Sequence, residues 1–169
     1  MSGNTVVGDV IKVEHGSYDA TNSEWVWTQV GRTRGEVSID SDVNVAETTV
    51  HDKLQDEKDA TSEAWMLSFE HLVQSTLGAL NTLGLITSSD ELKGFVNLIG
   101  DEGNPSDGDE ALRVYVYEDE TAVSNDTVKL GYETYDCLVV YGSNTIAEDD
   151  YSAGELEVHS RERFTVTTS

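Results

Sequence analysis

Proline is almost absent from this sequence, with Pro105 standing alone in 169 residues. Cysteine is as scarce, and a single Cys137 excludes an internal disulfide framework. It lies in the apolar run Cys137-Leu138-Val139-Val140, the setting of a small buried hydrophobe and not of a nucleophile. Positive charge is the third shortage. Ten lysines and arginines stand against 33 aspartates and glutamates, for a formal net charge of −23. With no basic stripe to displace counterions, binding nucleic acid through its phosphates is disfavoured, as is docking on an anionic membrane surface. Apolar runs are short and interrupted, so no membrane span is expected. The opening residues, MSGNTVVGDVIKVEHG, lack the basic and apolar regions of a secretory leader, so the chain is expected to begin its life in the cytoplasm.

Motifs of catalysis are missing as well. There is no GxSxG, P-loop or GxGxxG pattern. His15, His51, His71 and His159 fall outside metal-ligand spacing of one another and of Cys137. The acidic stretch DEGNPSDGDE lacks the D-x-D-x-D-G order of a calcium loop and reads as a solvated loop over 100–110. The pair Asp149–Asp150 carries little information in so acidic a chain, and the formal sequon at Asn125 means little without a secretory route. The expectation is no enzyme, no metal and no cofactor.

What is present is alternation. In GEVSIDSDVNV, Glu36, Ser38, Asp40 and Asp42 take one register, while Val37, Ile39, Val43 and Val45 take the other. That is the pattern of a half-buried strand with a carboxylate-bearing outer face. Alternation slips near Ala46–Glu47, which predicts a bulge. Further strands are predicted over 4–13, 24–30, 63–73, 111–118, one or two within 127–142, and 155–167. Residues 31–35 read as a turn and 54–62 as an exposed loop. The clearest helix is expected over Ser89–Ile99. Ser88 and Glu91 have capping-box spacing, Leu92, Phe95, Val96 and Ile99 form a stripe, and Gly100 can close it. Acid is spread along the chain, and at about 1 M salt the Debye length falls to roughly 3 Å and removes most of the self-repulsion. The balance looks like that of a protein from a halophile. The fold class expected is mainly β (α+β), a single domain over 1–169 built as a β-sandwich or barrel-like sheet with one short flanking helix.

Several stretches resemble the major tail (tail tube) proteins of long-tailed viruses, here of one infecting a halophilic archaeon. They are EWVWTQVGRTRGEVSID, then VNVAETTVHDKLQDEKDATSEAWMLSFEHL, SDELKGFVNLIG, and the closing ED-x-x-x-x-GELEVHSRERFTVT. The match is one of layout across most of the chain, not of a diagnostic motif, and fits other tail components such as a distal tail or terminator protein. The resemblance implies subunits that self-assemble into stacked, sixfold rings, with strands extended into an intersubunit inner barrel. It implies residence in the virion tail after assembly in the host cytoplasm, with tape measure, terminator and distal tail proteins as partners. Viral DNA would pass without specific binding, past a bore lined by Glu36, Asp40 and Asp42, to which Glu155 and Glu157 could add. The loop around 50–62, with His51, Lys53, Gln55, Asp56 and Lys58, would reach the neighbouring ring.

The scarce cations cluster as Arg32/Arg34 and Arg161/Arg163, the latter expected on one face of the last strand. They could dock on carboxylates of a neighbouring subunit or balance charge within their own. Two other readings stay open. One is a halophilic ligand-binding or enzymatic β-protein with a pocket of Trp25, Trp27 and Trp65. The other is a different virion part, such as a terminator, connector or decoration protein.

Overall fold

Alternating apolar positions make strands, and strands with one dry face must stack. In a computed structural model, which describes residues 10–33, 37–48, 57–74, 83–89, 91–146 and 152–168, ten strands obey that rule. They are β1 (Val10–Asp19), β2 (Glu24–Thr33), β3 (Val37–Thr48), β4 (Glu57–Gln74), β5 (Phe95–Ile99), β6 (Glu110–Tyr117), β7 (Leu130–Thr134), β8 (Asp136–Ile146), β9 (Ser152–Ser160) and β10 (Thr165–Thr168). All pairings are antiparallel, in the order β10-β7-β6-β1-β2-β4-β9-β8-β5, with β3 on β4. The path folds over where β2 meets β4 at the single pair Arg32–Val73, giving two layers. Layer one is β10-β7-β6-β1-β2, and layer two is β3-β4-β9-β8-β5. The mainly-β expectation is correct.

The core lies between the layers. Ile11, Val13, Val30, Leu112 and Val114 enter from layer one; Leu67, Leu98, Cys137, Val139, Leu156 and Val158 enter from layer two. Leu83 and Leu85, from the connection between β4 and β5, are wholly buried against them. Val37 and Ile39 pack on this core while Ser38, Asp40 and Asp42 are exposed, so the alternation read in β3 holds over residues 37–40, with Ser41 exposed as well; Glu36 and the side chains of Val43 and Val45 lie outside the described ones. Where the backbone lacks a side chain, an aromatic from the next strand fills the space. Trp27 lies over Gly16, and Tyr115 over Gly131, each so close that an added Cβ would sit within 2.7 Å of the ring.

The helix expected over Ser89–Ile99 is not there. Thr87 Oγ1 accepts hydrogen bonds from the Ser89 and Glu91 amides, making a tight turn in which Ile86 bridges Leu92, and the chain then enters β5 against β8. Pairing decided the outcome. Leu98, outside the helical stripe, is the residue that is fully buried, while Leu92, Phe95 and Ile99 are 58%, 56% and 61% exposed. The described helix is a single turn instead, α1 (Glu120–Ser124), capped by Asp119 accepting from the Ala122 amide at 2.8 Å.

Other boundaries moved for similar reasons. β1 runs on to Asp19, and residues 4–9 of the strand expected there lie outside the described residues. Residues 31–33 continue β2 and do not turn. The strand expected over 63–73 exists but begins at Glu57, so most of the loop expected over 54–62 is strand, with Lys58 opposite Glu47 in register. Pairing with β3 overrides the charged composition. The bulge in β3 falls between Asn44 and Val45, two residues before the expected position. The last strand is two. After β9 the chain turns at Arg161–Phe164, with Ser160 Oγ donating to the Glu162 carbonyl at 2.7 Å, and β10 crosses to pair with β7 in layer one.

Candidate functional site

The outer face of layer two gathers the residues that sequence reasoning singled out. Register places Asp40, Met66, His159, Leu138 and Asn97 in one row across β3, β4, β9, β8 and β5. Glu157, opposite Ser68, follows in the next row, with its carboxylate 3.2 Å from His159 Nε2. Asp40 and Asp42 are exposed on β3, and Glu155 and Glu157 are exposed on β9. Glu36 lies outside the described residues. A depression of about 330 Å³ opens here, lined by Asp40, Asp42, Trp65, Met66 and His159. Among the described residues, no three His, Cys, Asp or Glu side chains come together as a metal site. Toward β5 the face becomes apolar, with Leu138 and Val140 half-buried and Phe95 and Ile99 exposed.

The arginines are held inside their own chain. Arg32 Nη1 is 3.0 Å from the Glu120 carboxylate. Arg161 Nη1 is 2.9 Å from Asp136 Oδ1, and its Nη2 also donates to Asn97 Oδ1 on β5. Arg163 donates to Glu63. That guanidinium holds Glu63 below its ordinary carboxylate range. Arg161 and Arg163 occupy the turn after β9 and do not share a strand face, because the strand ends at Ser160. Arg34, His51, Lys53, Gln55 and Asp56 lie outside the described residues. Lys58 is placed in β4.

The three tryptophans do not converge. Trp25 and Trp27 stack at 6.0 Å beside Tyr135 and Tyr18 on layer one, whereas Trp65 meets Phe164 edge-on at 6.3 Å. Cys137 is buried and its thiol is pushed up to about 12 by that burial, which suits a core residue.

Layer one carries a network that the sequence did not announce. Arg113 Nε donates to Glu14 Oε1 at 3.1 Å across β6 and β1, and its guanidinium lies 4.1 Å from the Trp27 ring centre and 4.3 Å from that of Tyr115. Tyr115 and Tyr135 each donate a hydroxyl hydrogen bond to one oxygen of Glu133, at 2.9 and 2.7 Å, and Tyr117 donates to Asp126 at 2.9 Å. Burial first, and these carboxylates second, raise all three phenols, Tyr115 to about 12. A raised acid keeps its proton longer in the folded chain than in the unfolded one. The stability that these phenols contribute is therefore fully present below pH 10 and is lost as pH rises from 10 toward 12. Tyrosinate absorbance of these three should appear only together with the loss of folded circular dichroism. Their ionisation near pH 10 with the fold intact would contradict the network. The only clue available in the sequence was the polar register of ALRVYVYE, with Arg113, Tyr115 and Tyr117 all on one side.

No family model matches the chain, and no curated protein is similar to it.

Proposed function

We propose that the chain is a structural virion subunit without catalytic function, which assembles into stacked, sixfold rings that form the tail tube of a long-tailed virus of a halophile. One observation carries this reading. Residues 42–48 of β3 and 57–64 of β4 pair with each other and with no other described strand, because β9 meets β4 only from Trp65 onward. They form a two-stranded arm about 20 Å long beyond the sandwich, at roughly 3.4 Å per residue. An isolated ribbon of this kind is marginal in water, so a second subunit is its natural support. In this reading the arm and its connection, with Lys58, reach the next ring, and Asp40, Asp42, Glu155 and Glu157 face the bore.

A carboxylate-lined bore suits a conduit. DNA carries one negative charge per about 1.7 Å of axis and finds nothing there to bind. Tape measure, terminator and distal tail proteins are the partners this role requires. The same carboxylates make assembly depend on salt: about 10 Å of Debye length at 0.1 M leaves neighbouring subunits repelling, and about 3 Å at 1 M does not. Sedimentation in molar salt as concentration rises tests the proposal. Large particles that dissociate on dialysis to a tenth of that salt are expected, and a monomer at every concentration and salt would reject it.

A further inference from the structure

The turn that carries the chain from β9 to β10 runs against the base of the arm. We infer that Arg163 and Phe164 in this turn are positioning residues, which clasp the arm and hold it at the angle from which it meets a second copy. The inference rests on the arm's role proposed above. β9 ends at Ser160, which lies opposite Trp65, the first β4 residue with a partner on β9. Below that pair, β4 keeps β3 alone among the described strands. The turn takes over at this point. Arg163 donates to Glu63, two residues further down β4, and Phe164 meets Trp65 edge-on at 6.3 Å. Phe164 also meets Tyr132 of β7 edge-on at 6.2 Å, so one ring links the base of the arm to layer one.

The turn can act as a clasp because both of its ends are fixed to the sandwich. The Arg161 amide donates to the Asp136 carbonyl at 2.9 Å, Ser160 Oγ and Thr134 Oγ1 lie 2.8 Å apart, and Glu162 accepts from the Tyr135 amide at 2.7 Å. At the other end Thr165 Oγ1 donates to Glu102 at 3.0 Å, and Thr165 opens β10 along β7. The arm softens soon after the clasp. The bulge of β3 follows the Asn44–Ser62 pair, one pair past Val43–Glu63, and a bulge bends its strand. Every orientation that a loose arm samples must be given up when it docks, and an arm held beforehand loses less. The two contacts of the clasp differ in weight. The Arg163 side chain is 82% exposed, so its ion pair with Glu63 contributes little, and less still in molar salt. The Phe164–Trp65 contact carries no charge, and salt does not screen it. The ring therefore holds the angle at high salt, and the ion pair adds to it at low salt.

Spin labels on Glu47→Cys in the arm and Glu155→Cys on β9 read the angle in dilute monomer by pulsed dipolar spectroscopy, and the native Cys137 is buried and takes no label. The parent should give one narrow distribution of distances. Phe164→Leu keeps an apolar side chain between the layers, and circular dichroism checks that it folds. It should broaden the distribution at every salt. Without labels, it should raise the protein concentration at which particles appear by roughly two- to tenfold. Arg163→Glu should broaden the distribution at about 0.1 M salt and much less at about 1 M. The exchanged pair Glu63→Arg/Arg163→Glu should restore the narrow distribution, which a loss of general packing would not allow. Distributions that stay narrow in both Phe164→Leu and Arg163→Glu would overturn the inference and leave the tube reading intact. Particles that form as readily from a chain with a broadened arm would overturn it too, by showing that the angle does not govern docking. A parent that never forms particles would reject the tube reading, while broadening by Phe164→Leu would still uphold the clasp.

Discussion

Replacing Arg113 with alanine should destabilise the sandwich by roughly 3–5 kcal/mol, the cost of leaving a buried charge without its partner. Glu14 is the charge left behind. Its side chain is 8% exposed, and that of Arg113 only 19%, so neither can recover much hydration when the pair is broken. The substitution also removes the cation stacked on Trp27 and Tyr115, worth about 0.5–2 kcal/mol in partly dry surroundings. For a chain of this length the midpoint of thermal unfolding should fall by on the order of 10 °C. Urea unfolding, with salt held in the molar range, measures the loss without changing ionic strength. The double variant Arg113→Leu/Glu14→Leu, which removes both charges, should recover much of it. A loss below about 1 kcal/mol for Arg113→Ala would mean that the pair behaves like a surface ion pair.

Excising the arm should abolish tubes and spare the fold. Removing Val45–Thr61 and joining Asn44 to Ser62, its partner in register, through Asn-Gly, a sequence suited to a two-residue hairpin turn, leaves every core residue in place. The described residues among those excised pair with each other or with no strand outside the hairpin. The thermal midpoint should therefore stay within a few degrees, while particles larger than one ring disappear at every concentration. Persistence of long tubes would show that the arm does not join rings. A collapse of the midpoint would show that it braces its own subunit.

The sequence showed the strands wherever one face is wet and the other dry. Ser38, Asp40 and Asp42 against Val37 and Ile39 was legible for that reason. It misled where spacing admitted two periods. Leu92, Phe95, Val96 and Ile99 fit one helical stripe, yet the dry position of β5 is Leu98, and only the presence of β8 alongside reveals that. The break at Arg161–Phe164 was hidden because alternation continues across it; what ends the strand is a set of hydrogen bonds among Ser160, Glu162 and the distant Tyr135 amide. Charged composition disguised the start of β4 as a loop, since EKDATS over 57–62 has no apolar stripe to show. The acidic face was legible residue by residue, but its assembly was not. Asp40 and His159 meet through Met66, across a chain distance that no local pattern encodes. The Glu14–Arg113 pair spans 99 residues and was invisible for the same reason.

The central claim is that this acidic sandwich is a repeating wall element. Electron microscopy of the purified protein in molar salt, imaged as concentration rises, tests it most directly. Long hollow tubes of stacked rings, with Asp40 and Asp42 facing the bore, are the predicted result. Dispersed monomers at every concentration, or tubes whose Asp40 and Asp42 face outward, would contradict it.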